Sequence, residues 1–174
     1  HRDIREEEQQ YTPFAAYIDA EDFWKDPVTG EEYHNSNVPV WRWRRAMYND
    51  FRCRMDWCVK PYAQANHHPQ AILFGDDSRC IFQMQVKPGE KIELDASASK
   101  DPDGDPLEFR WWQYPEAGTY GGEITFSTPE APKTSFVIPE DAAGKEIHVI
   151  LQVRDRNDIA PLYAYRRIII RVSN

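Results

Sequence analysis

The chain lacks any apolar run long enough to cross a bilayer as a helix, which takes ~20 residues. Its longest candidate, "RRIIIRV" near the C-terminus, reads as a strand. It also lacks a basic excess. The formal net charge is −8, and phosphate binding needs a basic surface, so neither nucleic acid nor a membrane is expected as a partner. Cysteine is scarce: Cys53, Cys58 and Cys80. No CxxC or Cys/His spacing suggests zinc. Cys53 and Cys58 would point apart on one helix, and either could pair with Cys80, so their disulfide status stays open. A Gly-rich phosphate loop, a nucleophile elbow and an HExxH motif are all missing. There is no internal repeat. The chain begins at His1 with neither Met nor signal peptide, and reads as an internal piece or a mature, trimmed protein.

What is present is a chain sized for one good core: 174 residues, 41% of them hydrophobic. Aromatics reach 13%, with six tryptophans, a level typical of carbohydrate-binding or interface-rich proteins. Residues 1–40 show weak periodicity, with a short helix expected around 14–25 and a turn at "DPVTGEEY". "WRWRRAMYNDFRCRMDWC" (41–58) reads as a helix. Met47, Phe51, Met55 and Cys58 share one face with Tyr48 beside them, and arginines fill the other side. Pro61 stops it, and 63–70, containing His67 and His68, reads as a solvated linker. From 71 onward the pattern is β. Seven candidate strands cover 80–86, 91–97, 107–114, 123–128, 134–139, 146–155 and 162–173, separated by turn signals such as "KPGE" and "DPDGDP". The expected fold is mainly β: an immunoglobulin-like seven-stranded antiparallel sandwich over 71–174, behind an N-terminal helical extension.

Alternation assigns faces. Leu107, Phe109 and Trp111 point to the core, as do Ile147, Val149, Leu151, Val153, Ile168, Ile170 and Val172. Glu108, Arg110, Trp112, Tyr114, His148, Ile150, Gln152, Tyr165 and Ile169 fall on the opposite side. That second face is too apolar to be bare.

"GEKIELDASASKDPDGDPLEFRWW" resembles the opening of polycystic-kidney-disease-type and cadherin-like sandwich domains. "RRAMYNDFRCRMDWCV", "ANHHP", "FRWWQYPEAGTYGG", "IHVILQVRD" and "PLYAYRRIIIRV" together resemble the C-terminal part of a family of secreted bacterial proteins described as cellulose-binding. These carry a nucleoside-hydrolase-like domain followed by a β-sandwich. The resemblance implies that residues 1–62 are the tail of that preceding domain. It further implies that the hydrolase's aspartates lie outside this chain, and that the protein is secreted or periplasmic.

Several site candidates follow. Trp112 and Tyr114 lie two apart on one face, about 7 Å along a strand, a spacing suited to stacking sugar rings. Arg110, Gln152 and Tyr120 complete the expected carbohydrate-binding set. The competing reading is an internal interface, with the helix or residues 1–40 covering this face. Asp101, Asp103 and Asp105 alternate around Gly104. They are either calcium ligands or acceptors that shape the turn. Glu116 and Asp105 form a conceivable glycosidase-type acid pair, but no catalytic residue is assigned. The expected function is a non-catalytic accessory module binding cellulose or a related glycan. The alternative is a structural domain that packs on the parent's nucleoside-hydrolase-like domain and binds no ligand.

Overall fold

The computed structural model describes residues 22–26 and 29–174. It comprises one unit of residues 1–45 and another of residues 46–174.

In the first unit, β1 (Asp22–Lys25) and β2 (Glu32–Asn35) form an antiparallel hairpin with Phe23 opposite His34. The turn closes where the Gly30 N–H donates to the Asp26 carbonyl at 2.8 Å. Gly30 has φ 73°, a left-handed conformation that only glycine adopts freely. A short helix, α1 (Val38–Trp41), follows, with Pro39 in its first turn. Tyr33 stacks on Trp24 at 6.0 Å and meets the edge of Trp41 at 5.7 Å. The helix expected around 14–25 is therefore a strand over its described end, where Phe23 and Trp24 favour a paired, pleated backbone. Its earlier part, with Phe14 and Tyr17, lies outside the described residues.

The helix read over 41–58 is divided. α1 ends at Trp41, and α2 (Arg44–Val59) follows after a turn.

The second unit holds six strands: β3 (Phe82–Val86), β4 (Lys91–Asp95), β5 (Leu107–Gln113), β6 (Lys133–Val137), β7 (Glu146–Asp155) and β8 (Tyr163–Val172). One sheet runs β3-β8-β7-β5, with β3 parallel to β8 and the other pairs antiparallel. The other sheet is the antiparallel pair β4-β6. A single core joins them: Ile92, Leu94 and Phe136 from the small sheet meet Trp111, Val149, Leu151, Ile168 and Ile170 from the large one. Most of the inward rank read from alternation is buried, with Leu107 and Phe109 half-buried against the core; on the opposite side His148 and Ile150 are buried too. Trp111 is 1% exposed, and its indole N–H is satisfied by the Ala131 carbonyl at 2.8 Å. Burying an indole without such a partner would cost a hydrogen bond.

Residues 123–128, expected as a strand, form none. The Gln113 side chain takes the place of a ladder there. Its amide nitrogen donates to Gly122 O at 2.9 Å, and its amide oxygen accepts from Ile124 N at 2.9 Å. The segment then meets β6 through Ser127, whose N–H donates to Ser135 O at 2.8 Å, and through the Thr128 side chain, which donates to Lys133 O at 2.6 Å. Pro129 and Pro132, which have no N–H, follow at once.

α2 docks on the 156–162 loop of the same unit. Cys53 packs against Ala160 and Leu162, with Trp57 beside them. Asn49 Nδ2 donates to Pro161 O at 2.8 Å, and Arg52 donates to Ile159 O at 3.0 Å. The buried side of α2 thus carries Asn49, Cys53 and Trp57. The apolar face counted from the sequence, Met47, Phe51 and Met55, is exposed.

Candidate functional site

The sheet β3-β8-β7-β5 has one face in the core. Register builds the other face row by row. Glu108 lies beside Arg154 and Tyr163; Arg110 beside Gln152 and Tyr165; Trp112 beside Ile150 and Arg167. One residue further, Tyr114 N donates to His148 O at 2.8 Å, extending the rows past the end of β5. Four rings and several guanidinium groups therefore share one surface. All of Arg110, Trp112, Tyr114, Gln152, Tyr163 and Tyr165 are half-buried.

The rings are held at fixed angles. Trp112 and Tyr114 meet edge to face, centroids 5.6 Å apart at 70°. Their planes are therefore not shared, unlike the flat platform their spacing suggests. Tyr163 and Tyr165 are the parallel pair, 6.1 Å apart at 7°. Tyr163 was not singled out from the sequence, although the alternation that places Tyr165 on this face places Tyr163 there too. Burial pushes the Tyr165 phenol up, followed by the effect of neighbouring Tyr163. Tyr165 is thus held as the neutral, donating phenol.

Arginines sit over the rings. Arg154 lies 5.9 Å from the Tyr163 centroid and Arg167 lies 6.0 Å from that of Tyr114, within cation–π range. Arg167 is fixed from below by His148, a buried side chain. Its Nε donates to His148 Nδ1 at 3.0 Å, while His148 Nε2 lies 2.6 Å from Glu146 Oε1. An arginine only donates, so Nδ1 accepts and Nε2 carries the proton given to Glu146. The His148 bond, then the nearby Arg171, holds the Glu146 carboxyl below its ordinary range. Arg154 is steadied by Glu108 at 3.1 Å. By contrast, the side chains of Arg110 and Gln152 make no hydrogen bond to the described residues. They are adjacent across the β5–β7 register, between Trp112 and Tyr165.

The other expected site residues are placed elsewhere. Tyr120 is buried in the core, with its hydroxyl bonded to Asp141 at 2.9 Å, and takes no part in this face. The three aspartates diverge. Asp101 accepts from the backbone N–H of Asp103 at 2.8 Å and of Asp105 at 3.2 Å. Asp103 accepts from His67 N at 2.7 Å and lies 2.9 Å from its Nδ1, and Asp105 accepts from Asn157 at 3.2 Å. Burial raises the Asp101 carboxyl above its ordinary value despite the bonds it accepts. Among the described residues, no three His, Cys, Asp or Glu side chains converge as a metal-binding group. The aspartates shape a turn and fasten residues 63–70 to it. His67 is stacked between Tyr62 at 3.7 Å and Trp57 at 5.9 Å, and Gln70 pairs with Lys100. His68 bonds Asp50 at 2.7 Å and the Tyr163 carbonyl at 2.9 Å. Glu116 and Asp105 stand at opposite ends of β5, roughly 23 Å of strand apart. Glycosidase carboxylates sit about 5–10 Å apart.

The family model described as "Cellulose-binding protein Sde0182, C-terminal domain" matches residues 91–172. Among solved structures, a nucleoside hydrolase-related hypothetical protein from Saccharophagus degradans, associated with carbohydrate metabolism, is similar over 83% of this chain. The identity is 37% and the TM-score 0.76. The chain spans 36% of the length of that relative. No curated protein matches the sequence. Among the described residues, no helix is long and apolar enough to cross a membrane.

Proposed function

We propose, from the premise that residues 91–172 belong to the C-terminal domain family of the cellulose-binding protein Sde0182, that this chain is a non-catalytic accessory module of a secreted protein. It takes cellulose or a related β-glycan on the outer face of its four-stranded sheet. The observation that carries this reading is the pair Arg110–Gln152. Both polar heads have unfilled hydrogen-bond capacity toward the described residues, and both sit between rings. Sugars present an apolar C–H face and an equatorial rim of hydroxyls. Rings meet the first, and amide and guanidinium groups meet the second. Rigid rings and a pinned arginine lower the ordering cost of binding. The strand order, with the first strand parallel to the last and β5, β7 and β8 in one sheet, supports an immunoglobulin-like reading of the sandwich.

A pull-down on insoluble cellulose tests the reading. The chain should be retained, and Arg110→Ala with Gln152→Ala should be released at equal fold stability. Retention unchanged in the double variant would remove this face from the account.

A second reading is a structural role beside a nucleoside hydrolase-like domain of the parent protein; the solved relative is described as nucleoside hydrolase-related. The exposed apolar side of α2 supports it. The two readings use different surfaces and are compatible.

A further inference from the structure

Below the ring-lined face lies a titratable side chain whose change of charge the glycan reading does not use. His148 is 2% exposed and sits on the outer side of β7, beside Ile169 of β8. Two nitrogens of Arg167 converge on its Nδ1, Nε at 3.0 Å and Nη2 beside it. Its Nε2 lies 2.6 Å from Glu146 Oε1. A guanidinium only donates, so this geometry exists only while Nδ1 keeps its lone pair. A second ring proton would set donor against donor and imidazolium against guanidinium, a like-charge contact that drives the two apart. The charged and titratable groups facing His148 come from three elements. Its own strand supplies Glu146, and β8 supplies Arg167 and Arg171, the latter 3.2 Å from Glu146 Oε2. The end of β5 supplies Tyr114, whose N–H donates to the His148 carbonyl, and exposed Glu116 in the turn 115–117 that packs on β7. β3 meets the same row with uncharged Gln83 opposite Ile169. Among the described residues, no acceptor faces Nδ1.

Arg167 is what this bond places on the face. It stands in the row of Trp112 and Ile150 and lies 6.0 Å from the Tyr114 centroid. Imidazole is the side chain that ordinarily changes charge between about pH 5 and 8. The Glu146 carboxyl is held below its ordinary range, chiefly by His148, so it stays ionised through that window and the change falls on the ring. We propose that His148 is a positioning residue that works as a pH-operated pin. Neutral, it holds Arg167 over Tyr114; protonated, it releases Arg167, so the face takes its ligand at neutral pH and lets it go on acidification. The ligand half of this statement rests on the β-glycan reading, and the pin itself does not.

Nuclear magnetic resonance of the nitrogen-labelled chain, without ligand, tests the pin. Between about pH 8 and 5 the His148 ring, the Arg167 Nε–H and the Tyr114 ring should shift together, with one midpoint. In His148→Asn, whose amide oxygen gives Arg167 an acceptor that does not titrate, the Arg167 and Tyr114 signals should stay in place. Calorimetry with a soluble cello-oligosaccharide tests the consequence. Binding should weaken about tenfold over that range, the worth of one partly desolvated cation–π contact. His148→Asn should remove the pH dependence. So should Arg167→Gln, which spares the buried histidine and should bind weakly at both ends of the range. His68, which meets the Tyr163 carbonyl at 2.9 Å, is another histidine near this face, and a pH effect arising there would survive in both variants. The proposal is overturned if the His148 ring titrates while Arg167 and Tyr114 do not move, or if the ring keeps one charge across the range. It is likewise overturned if either variant binds with the pH profile of the unaltered chain. No heat at any pH, with the three resonances still moving together, would remove the glycan reading and uphold the pin.

Discussion

Replacing Asp155 with alanine should be among the most destabilising changes on the polar side of this molecule. The side chain is fully buried at the end of β7. Its carboxylate accepts from Leu162 N at 3.1 and 3.0 Å, from Asn157 N at 3.0 Å and from Asn66 Nδ2 at 3.0 Å. Leu162 is itself buried, so its N–H would be left without this acceptor and without water. Asn66 would keep Ala160 O at 3.1 Å, which limits its share of the loss. A buried donor left unsatisfied costs about 1–3 kcal/mol, and bonds to a charged acceptor are the stronger kind. Together these give about 4 kcal/mol. For a chain of this size about 1 kcal/mol shifts the melting temperature by roughly 2–4 °C, so a fall of about 8–16 °C is expected. The same residue orders the loop on which Cys53 and Trp57 dock, so amide exchange in α2 should quicken as well. Thermal melting followed by circular dichroism, with Asp105→Ala as the comparison, measures the first effect. A fall under about 2 °C would refute the assignment of Asp155 as the anchor of this loop.

Further outcomes follow from other contacts. Trp111→Ala removes the largest buried side chain and should cost about 3–5 kcal/mol, read as a lower denaturant midpoint, whereas a surface tryptophan would lose little. Asp76 and Asp95 are held at about 2, below the free value of 3.8, the first chiefly by Arg166 and the second chiefly by Lys133. A depressed folded pKa stabilises fully above the unfolded value and is lost as pH falls through the folded one. The melting temperature should therefore drop between pH 4 and 2, and Asp76→Asn with Asp95→Asn should flatten that drop; an equally steep profile in the variant would contradict the assignment. Millimolar calcium should leave the melting temperature unchanged, because Asp101, Asp103 and Asp105 are bonded to separate partners. A rise following the ligand-linkage relation would show a site these bonds do not suggest.

The inward rank of the sheet was legible because a period of two survives any loop arrangement: Trp111 is in the core and Trp112 is not. The missing strand at 123–128 was illegible because a side-chain amide, Gln113, stands in for backbone pairing, and no propensity encodes that substitution. The docked side of α2 defeated the apolar count. It is fixed by hydrogen bonds from Asn49 and Arg52 to carbonyls over a hundred residues away, while the apolar side stays exposed. His67 and His68 read as linker residues because their partners, Asp103 and Asp50, are distant or on another element. At the ring-lined face the sequence placed Trp112, Tyr114, Arg110 and Gln152 together but said nothing of ring angle. Edge-to-face contact and the pinning of Arg167 by buried His148 depend on packing.

The central claim is that the face built on Trp112, Arg110, Gln152 and the paired tyrosines holds a β-glycan. Calorimetric titration with a soluble cello-oligosaccharide, in the unaltered chain and in Trp112→Ala, addresses it directly. Heat of binding that saturates in the first and disappears in the second, with both proteins melting as folded domains, is the result the account predicts. Equal binding by both, or no heat from the unaltered chain with any β-glycan, would contradict it.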